Sequence, residues 1–209
     1  MSGDASTTPA HDELRERLIT AALRVIADHG LGELTVRRLA EVANTSTMGV
    51  YSRFGGRTGV LRALYLRAYD LLAEALVAVP GTDDPAADLI ALARAYREFA
   101  LASPARYWFM FDQASAGFQP DEPLRAQSFQ TALAPVHATV RRATPDHLGA
   151  LRASYCLWCV MHGLLGLELA KVPGTPLPAV RFEPDDQTAE RMYLAGCTAM
   201  LAGLGLLPG

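Results

Sequence analysis

The chain has 209 residues, half of them hydrophobic and 20% charged, with a mean hydropathy of +0.12. That apolar content suffices to bury a core, which excludes wholesale disorder and indicates one domain, or a small domain joined to a larger one. The net charge of −3 is unevenly spread: residues 1–32 carry three Arg against five acids, residues 33–67 six Arg against two, and residues 68–209 ten basic residues against fifteen acids. A short basic block between acidic flanks fits a small nucleic-acid reader on an acidic body, although a solvated helix face gives the same count.

Residues 1–10 are small and polar, hold no apolar run and are expected to be a disordered tail without a secretory signal. From His11 to Asp28, Leu14, Leu18, Ala21, Ala22, Val25 and Ile26 recur on one face of an amphipathic helix, which Gly30 ends. Thr35 is a good N-cap for a short second helix burying Val36, Leu39, Ala40 and Ala43. Asn44, the non-glycine residue most tolerant of positive φ, makes the next turn. Thr45 or Ser46 then caps a third helix anchored by Val50 and Phe54 and closed by Gly55-Gly56. Helical period continues over 57–79, 84–102, 104–114, 123–142, 145–171 and 184–207, most of these segments with Pro near the start. The Pro-rich stretch 172–184 reads as a structureless connection, and strand-like alternation is absent.

The predicted fold is all-α: an N-terminal three-helix bundle with a helix-turn-helix over 11–57, then a larger helical domain over 58–209. Two short helices joined by a tight turn place the second in the major groove. Its outward residues Thr47, Met48, Gly49, Tyr51 and Ser52 are small, or flat and hydrogen-bonding. Ser46 and Thr47 can donate to phosphates or bases, Arg37 can reach a guanine edge, and Arg57 at a helix start can meet phosphate. Any αα-corner in a helical protein shares this spacing.

Residues 11–61 resemble the DNA-binding region of the TetR family of bacterial transcriptional regulators. The resemblance rests on Gly30, Thr35-Val36-Arg37-Arg38-Leu39-Ala40, the run Thr45 to Phe54 ending Tyr51-Ser52-Arg53-Phe54, and then Arg57 and Leu61. It implies Arg37, Thr47, Met48, Gly49 and Tyr51 near bases, and Thr35, Ser52, Arg53 and Arg57 near phosphates. Three departures stand out: Asn44 replaces the usual Gly, Thr45 the usual Val, and Gly49 sits inside the recognition helix, where it costs about 1 kcal/mol relative to Ala. The resemblance also implies a homodimer, a pseudo-palindromic double-stranded operator and a small-molecule effector, with repression as the usual outcome.

Further along, Trp158 to Gly163 reads W-x-x-x-H-G and is similar to the Trp-His-Gly signature of one subgroup of TetR C-terminal domains. The aromatic tract Tyr107-Trp108-Phe109-Met110-Phe111 cannot lie on one helix face. It is either core or the wall of a pocket for an apolar or aromatic effector, with Trp158 and His162 as further candidates. The small-residue-rich segment 191–207 suits close helix pairing and a homodimer.

Cys156-x-x-Cys159 with His162 invites a metal reading, but the apolar surroundings and the lack of a fourth ligand favour packing, so neither metal nor cofactor is expected. No membrane span is indicated, and the odd number of cysteines, three, fits a reducing cytoplasm. The competing readings are an all-α carrier or enzyme without DNA binding, or a dimerisation module with a vestigial reader. The sequence shows no Gly-x-Ser-x-Gly elbow, phosphate loop or Glu-x-x-His pair, which argues against catalysis.

Overall fold

The computed structural model describes residues 9–111, 117–144, 146–170 and 185–207. Most of the N-terminal tail, residues 112–116, Pro145, Lys171, the connection 172–184 and residues 208–209 lie outside them. Among the described residues the chain is helical with no strand: α1 Pro9–His29, α2 Val36–Val42, α3 Thr47–Phe54, α4 Arg57–Val77, α5 Pro85–Ala102, α6 Pro104–Phe111, α7 Glu122–Ala143, α8 His147–Ala170 and α9 Asp186–Gly203. They form two compact units, one of 1–68 with 108–125, the other of 69–107 with 126–209.

In the first unit, the apolar stripe of α1 (Leu18, Ala22 and Val25) is buried with Leu39 and Ala40 of α2, Val50 of α3 and Val60 and Leu61 of α4. The 3-10 turn Leu31–Glu33 follows Gly30, which has φ 84°, and Leu34 after it is buried. Each junction has a local chemical cause. Thr35 accepts from the Arg38 N–H at 3.2 Å and opens α2. Asn44 takes φ 49°, the conformation its short polar side chain tolerates best. Of the two residues that could cap α3, Ser46 does so, accepting from the Gly49 N–H at 3.1 Å. Gly55 ends the helix at φ 69°. Later in this unit Phe118 packs on Tyr65 and Phe109, with centroids 5.8 and 6.4 Å apart.

In the second unit α8 buries Ala150, Ala153, Leu157, Met161 and Leu165 and packs against α5 and α9. By length and composition α8 is apolar enough to cross a membrane, yet this stripe belongs to the unit's core. A Cβ on Gly196 would lie 2.6 Å from Leu164 Cδ1, so that glycine sets the close approach of α9 to α8. Helix α9 stops at Gly203, short of the expected Leu207. Gly205 takes φ 69°, and the Leu206 N–H returns to the Leu201 carbonyl at 2.9 Å, a Schellman closure. Pro135 lies inside α7, where its ring removes one N–H from the helical ladder. Asp88 at the start of α5 accepts from the Thr82 N–H at 3.0 Å and from Arg142 at 2.7 Å, fastening the α4–α5 loop to the end of α7. The Thr82 N–H, first, and then its hydroxyl and Arg142 hold the Asp88 carboxyl below its usual range.

Candidate nucleic-acid interface and effector site

The α2–α3 corner presents the predicted reading residues unequally. Met48 is 72% exposed and Tyr51 54%, and Thr47 and Ser52 are also exposed, while Val50 between them is buried. This division follows from helical period, since positions 47, 48, 51 and 52 share one face and position 50 the other. Gly49 is half-buried beneath Thr45. Phe54 is half-buried, not a full core anchor, and carries the Arg15 guanidinium 5.7 Å over its ring. Thr45, where the family resemblance has an apolar Val, is likewise half-exposed, so its hydroxyl need not be satisfied inside the protein.

The basic residues divide by what already holds them. Arg37, whose side chain is almost wholly exposed, lies on α2 with Glu41 one turn on, Nε to Oε1 at 3.1 Å. Such a pair in water is worth a few tenths of a kcal/mol, about 0.3–0.5, and yields readily to a phosphate or a base. Arg53 donates to Ser52 Oγ at 3.3 Å. Arg57 is different. Its Nε donates to the Leu34 carbonyl at 2.8 Å and its Nη2 to the Leu31 carbonyl at 3.4 Å, tying the start of α4 to the turn before α2. Sequence reasoning assigned Arg57 to phosphate and missed this internal role, because carbonyl partners more than twenty residues away leave no local signal. Arg17 acts similarly, donating to the Ala43 carbonyl at 2.7 Å at the end of α2.

In the second unit three of the predicted effector residues meet. Trp158 stacks on His162 with centroids 5.1 Å apart, and Tyr107 lies 5.4 Å from His162 on the other element. The Tyr107 hydroxyl is 2.6 Å and the Tyr96 hydroxyl 3.3 Å from His162 Nδ1. Burial holds the His162 pKa below its ordinary 6.5, favouring the neutral ring, and a neutral ring with Nδ1 as acceptor satisfies the Tyr107 hydroxyl. Burial likewise pushes the Tyr107 phenol up to about 12. Phe129 closes the series edge-on to Trp158 at 4.7 Å.

The aromatic tract divides between buried and more exposed positions. Tyr107, Phe109 and Met110 are buried, whereas Trp108 is 37% exposed and Phe111 half-buried. Tyr96, Phe129 and the ion pair of Arg97 with Glu168, 3.0 Å from Nε to Oε2, were not singled out from sequence. Their partners lie on other helices, and periodicity reveals a face but not what it faces. An open groove of about 630 Å³, lined by Leu76, Val77, Leu92, Pro135 and Arg142 among others, includes none of the predicted effector residues.

Among the described residues no group of three His, Cys, Asp or Glu side chains is placed to hold a metal ion. Cys159 is exposed, Cys156 half-buried and Cys197 buried, so the three thiols occupy different environments.

Two family models match this chain. Residues 18–64 match that of bacterial regulatory proteins of the tetR family, and residues 89–195, just over half the chain, match the tetracyclin repressor-like C-terminal domain. The chain belongs to the TetR family. It is 27% identical over 158 residues to the uncharacterized HTH-type transcriptional regulator Rv0681 of Mycobacterium tuberculosis, a match covering 76% of this chain and 71% of that protein. It is 28% identical over 114 residues to the HTH-type transcriptional regulator Mb1846 of Mycobacterium bovis, covering 52% of this chain and 48% of the relative. SCO4313, provisionally described as a regulatory protein, shares the fold at a TM-score of 0.70 and 22% identity, over 91% of this chain and 96% of that one. A TetR-family protein is a DNA-binding transcriptional regulator, and the N-terminal match over residues 18–64 spans α2 and α3.

Proposed function

We propose that this TetR-family regulator is a repressor that binds a pseudo-palindromic operator as a homodimer and releases it when an apolar or aromatic small molecule occupies the C-terminal domain. The observation that carries the DNA half of this reading is the exposed face of Thr47, Met48, Tyr51 and Ser52 on a helix whose other side is anchored by buried Val50. Thr35, Arg37, Ser46, Gly49, Arg53 and Arg57 complete the proposed surface. The functional division falls at 57–58, with the reader before it and effector binding and pairing after it.

For pairing, the support is a mostly apolar stripe along α8, with exposed Arg152 as its one charge. Leu148, Leu151, Tyr155, Cys159, Gly163 and Leu167 are all exposed at intervals of three and four residues, and Leu167 is 70% exposed. Leaving so much apolar surface in water costs about 25 cal/mol per Å², which a second copy would recover. For the effector, the support is the cluster of Tyr107, Trp158 and His162, a polar centre among flat apolar faces of the kind that orients an aromatic ligand. Trp108, Phe109, Met110 and Phe111 remain proposed effector-binding residues. Trp158, His162 and Gly163 support the Trp-His-Gly subgroup. We further infer that the protein acts in the cytoplasm, where the DNA is, without enzymatic activity, metal or cofactor.

The test is selection of duplexes from a random pool at two salt concentrations, since phosphate contacts make affinity salt-dependent. Enrichment of a palindrome with half-sites about 34–36 Å apart is the expected result. A pool that shows no enriched sequence at either salt would overturn the reading.

A further inference from the structure

The polar side chains of α3 are mostly committed to the helix itself. Ser46 Oγ accepts from the Gly49 N–H at 3.1 Å, Ser52 Oγ donates to the Gly49 carbonyl at 3.0 Å, and Arg53 Nη1 donates to Ser52 Oγ at 3.3 Å. Among the described residues, no hydrogen bond or ring contact engages the side chains of Thr47, Met48 or Tyr51. Among the described residues Met48 is the most exposed of the large hydrophobic ones, at 72%, and sits in the first turn of α3. The first turn of a recognition helix is the part that reaches base edges.

A thioether has no donor and is a poor acceptor, so Met48 cannot read the hydrogen-bonding pattern of a base pair. The major groove offers one apolar feature, the methyl group on C5 of thymine. We infer that Met48 reads that methyl, so each operator half-site contains a T·A pair recognised by its methyl group and not by its hydrogen-bonding edge. This rests on the proposed docking of α3 in the major groove. Met is suited to the task because its unbranched, polarizable chain adapts to a methyl whose position shifts with local DNA shape. The same methyl occurs at the same place on 5-methylcytosine, which therefore substitutes in part for thymine there.

The experiment replaces each thymine of the selected operator, one at a time and symmetrically, with deoxyuridine, which removes the methyl and leaves every hydrogen-bonding group in place. The wild-type protein should lose about three- to tenfold in affinity at one position per half-site, the scale expected for burying one methyl group. In Met48→Ala, a substitution at an exposed helical position that folding should tolerate, thymine and deoxyuridine at that position should bind within twofold of each other. Met48→Leu should restore discrimination. If no deoxyuridine position weakens the wild type, or if the penalty persists undiminished in Met48→Ala, the inference falls while operator binding stands. Failure to enrich any operator would remove both.

Discussion

A Cβ placed on Gly49 would lie 2.7 Å from Thr45 Oγ1, so the glycine inside the recognition helix and the hydroxyl residue one turn before it are a matched pair. Thr45 is β-branched and stiff at χ1, so it cannot swing aside cheaply. Gly49→Ala should therefore lose about 1–2 kcal/mol of stability to overpacking despite a gain of about 1 kcal/mol in helix propensity. In a Thr45→Ala background the same change should stabilise. Urea unfolding of the four proteins measures the coupling, and simple additivity would show that the two positions are independent.

Arg57→Gln should destabilise the N-terminal unit by about 1.5–3 kcal/mol, because the part-buried Leu31 and Leu34 carbonyls lose a charged donor. Its effect on operator binding carries separate information. A drop of about 0.9 in the slope of log K against log salt indicates that the guanidinium also meets a phosphate, and an unchanged slope that it serves only the turn.

The Arg97–Glu168 pair ties α5 to α8 with side chains only 7% and 20% exposed. The hydrogen bond that Arg97 donates to Glu168 raises the Arg97 pKa against the opposing effect of burial. Glu168→Gln should cost about 3 kcal/mol by leaving the guanidinium buried without its countercharge. Arg97→Met with Glu168→Leu should recover most of that loss. Thermal melts of the single and double variants decide the matter.

His162 gives the pH dependence its sign. Its folded pKa lies below the ordinary 6.5, so the unfolded chain binds the proton more readily. The contribution of the neutral ring is complete above about pH 6.5 and declines as pH falls toward the lower folded value. Between pH 8 and pH 5 the wild type should lose more Tm than His162→Asn. Parallel profiles for the two proteins would mean that His162 does not titrate on unfolding.

Pairing through α8 predicts that Leu151→Lys together with Leu167→Asp yields a monomer with unchanged helicity, since both positions are exposed in the single chain. Light scattering at micromolar concentration reads the mass. Operator affinity should fall with it, because one half-site engages far fewer contacts than two.

Much of the N-terminal unit was legible in sequence because its turns are set by local chemistry. Thr35 caps the backbone three residues on, Asn44 supplies a positive φ, and Gly55 supplies another. Helix existence was equally legible from apolar period, while the end of α9 was not, since Gly205 looked like one more small residue in a small-residue helix. The exposed face of α3 follows from period. Non-local chemistry escaped: His162 and Tyr96 are 66 residues apart, and nothing in either neighbourhood announces the other. The helix over 123–142 was legible despite Pro135, because apolar period outweighs the one N–H that the proline removes from the ladder.

In the proposed pairing through α8, the exposed stripe offers one charge, Arg152, among uncharged residues, so electrostatics does little to tell a copy of this chain from a related protein of the same fold. Discrimination between them must then be written in relief. Gly163 forms a recess four residues from the Cys159 thiol and four from the projecting Leu167, with nothing of its own chain within 4 Å of where its Cβ would be. A partner that raises a side chain opposite that recess fits, and one that raises its bulk elsewhere collides. Mixed dimers among relatives would scramble which genes answer to which signal, and in the proposed pairing a single absent methyl group would guard against that confusion.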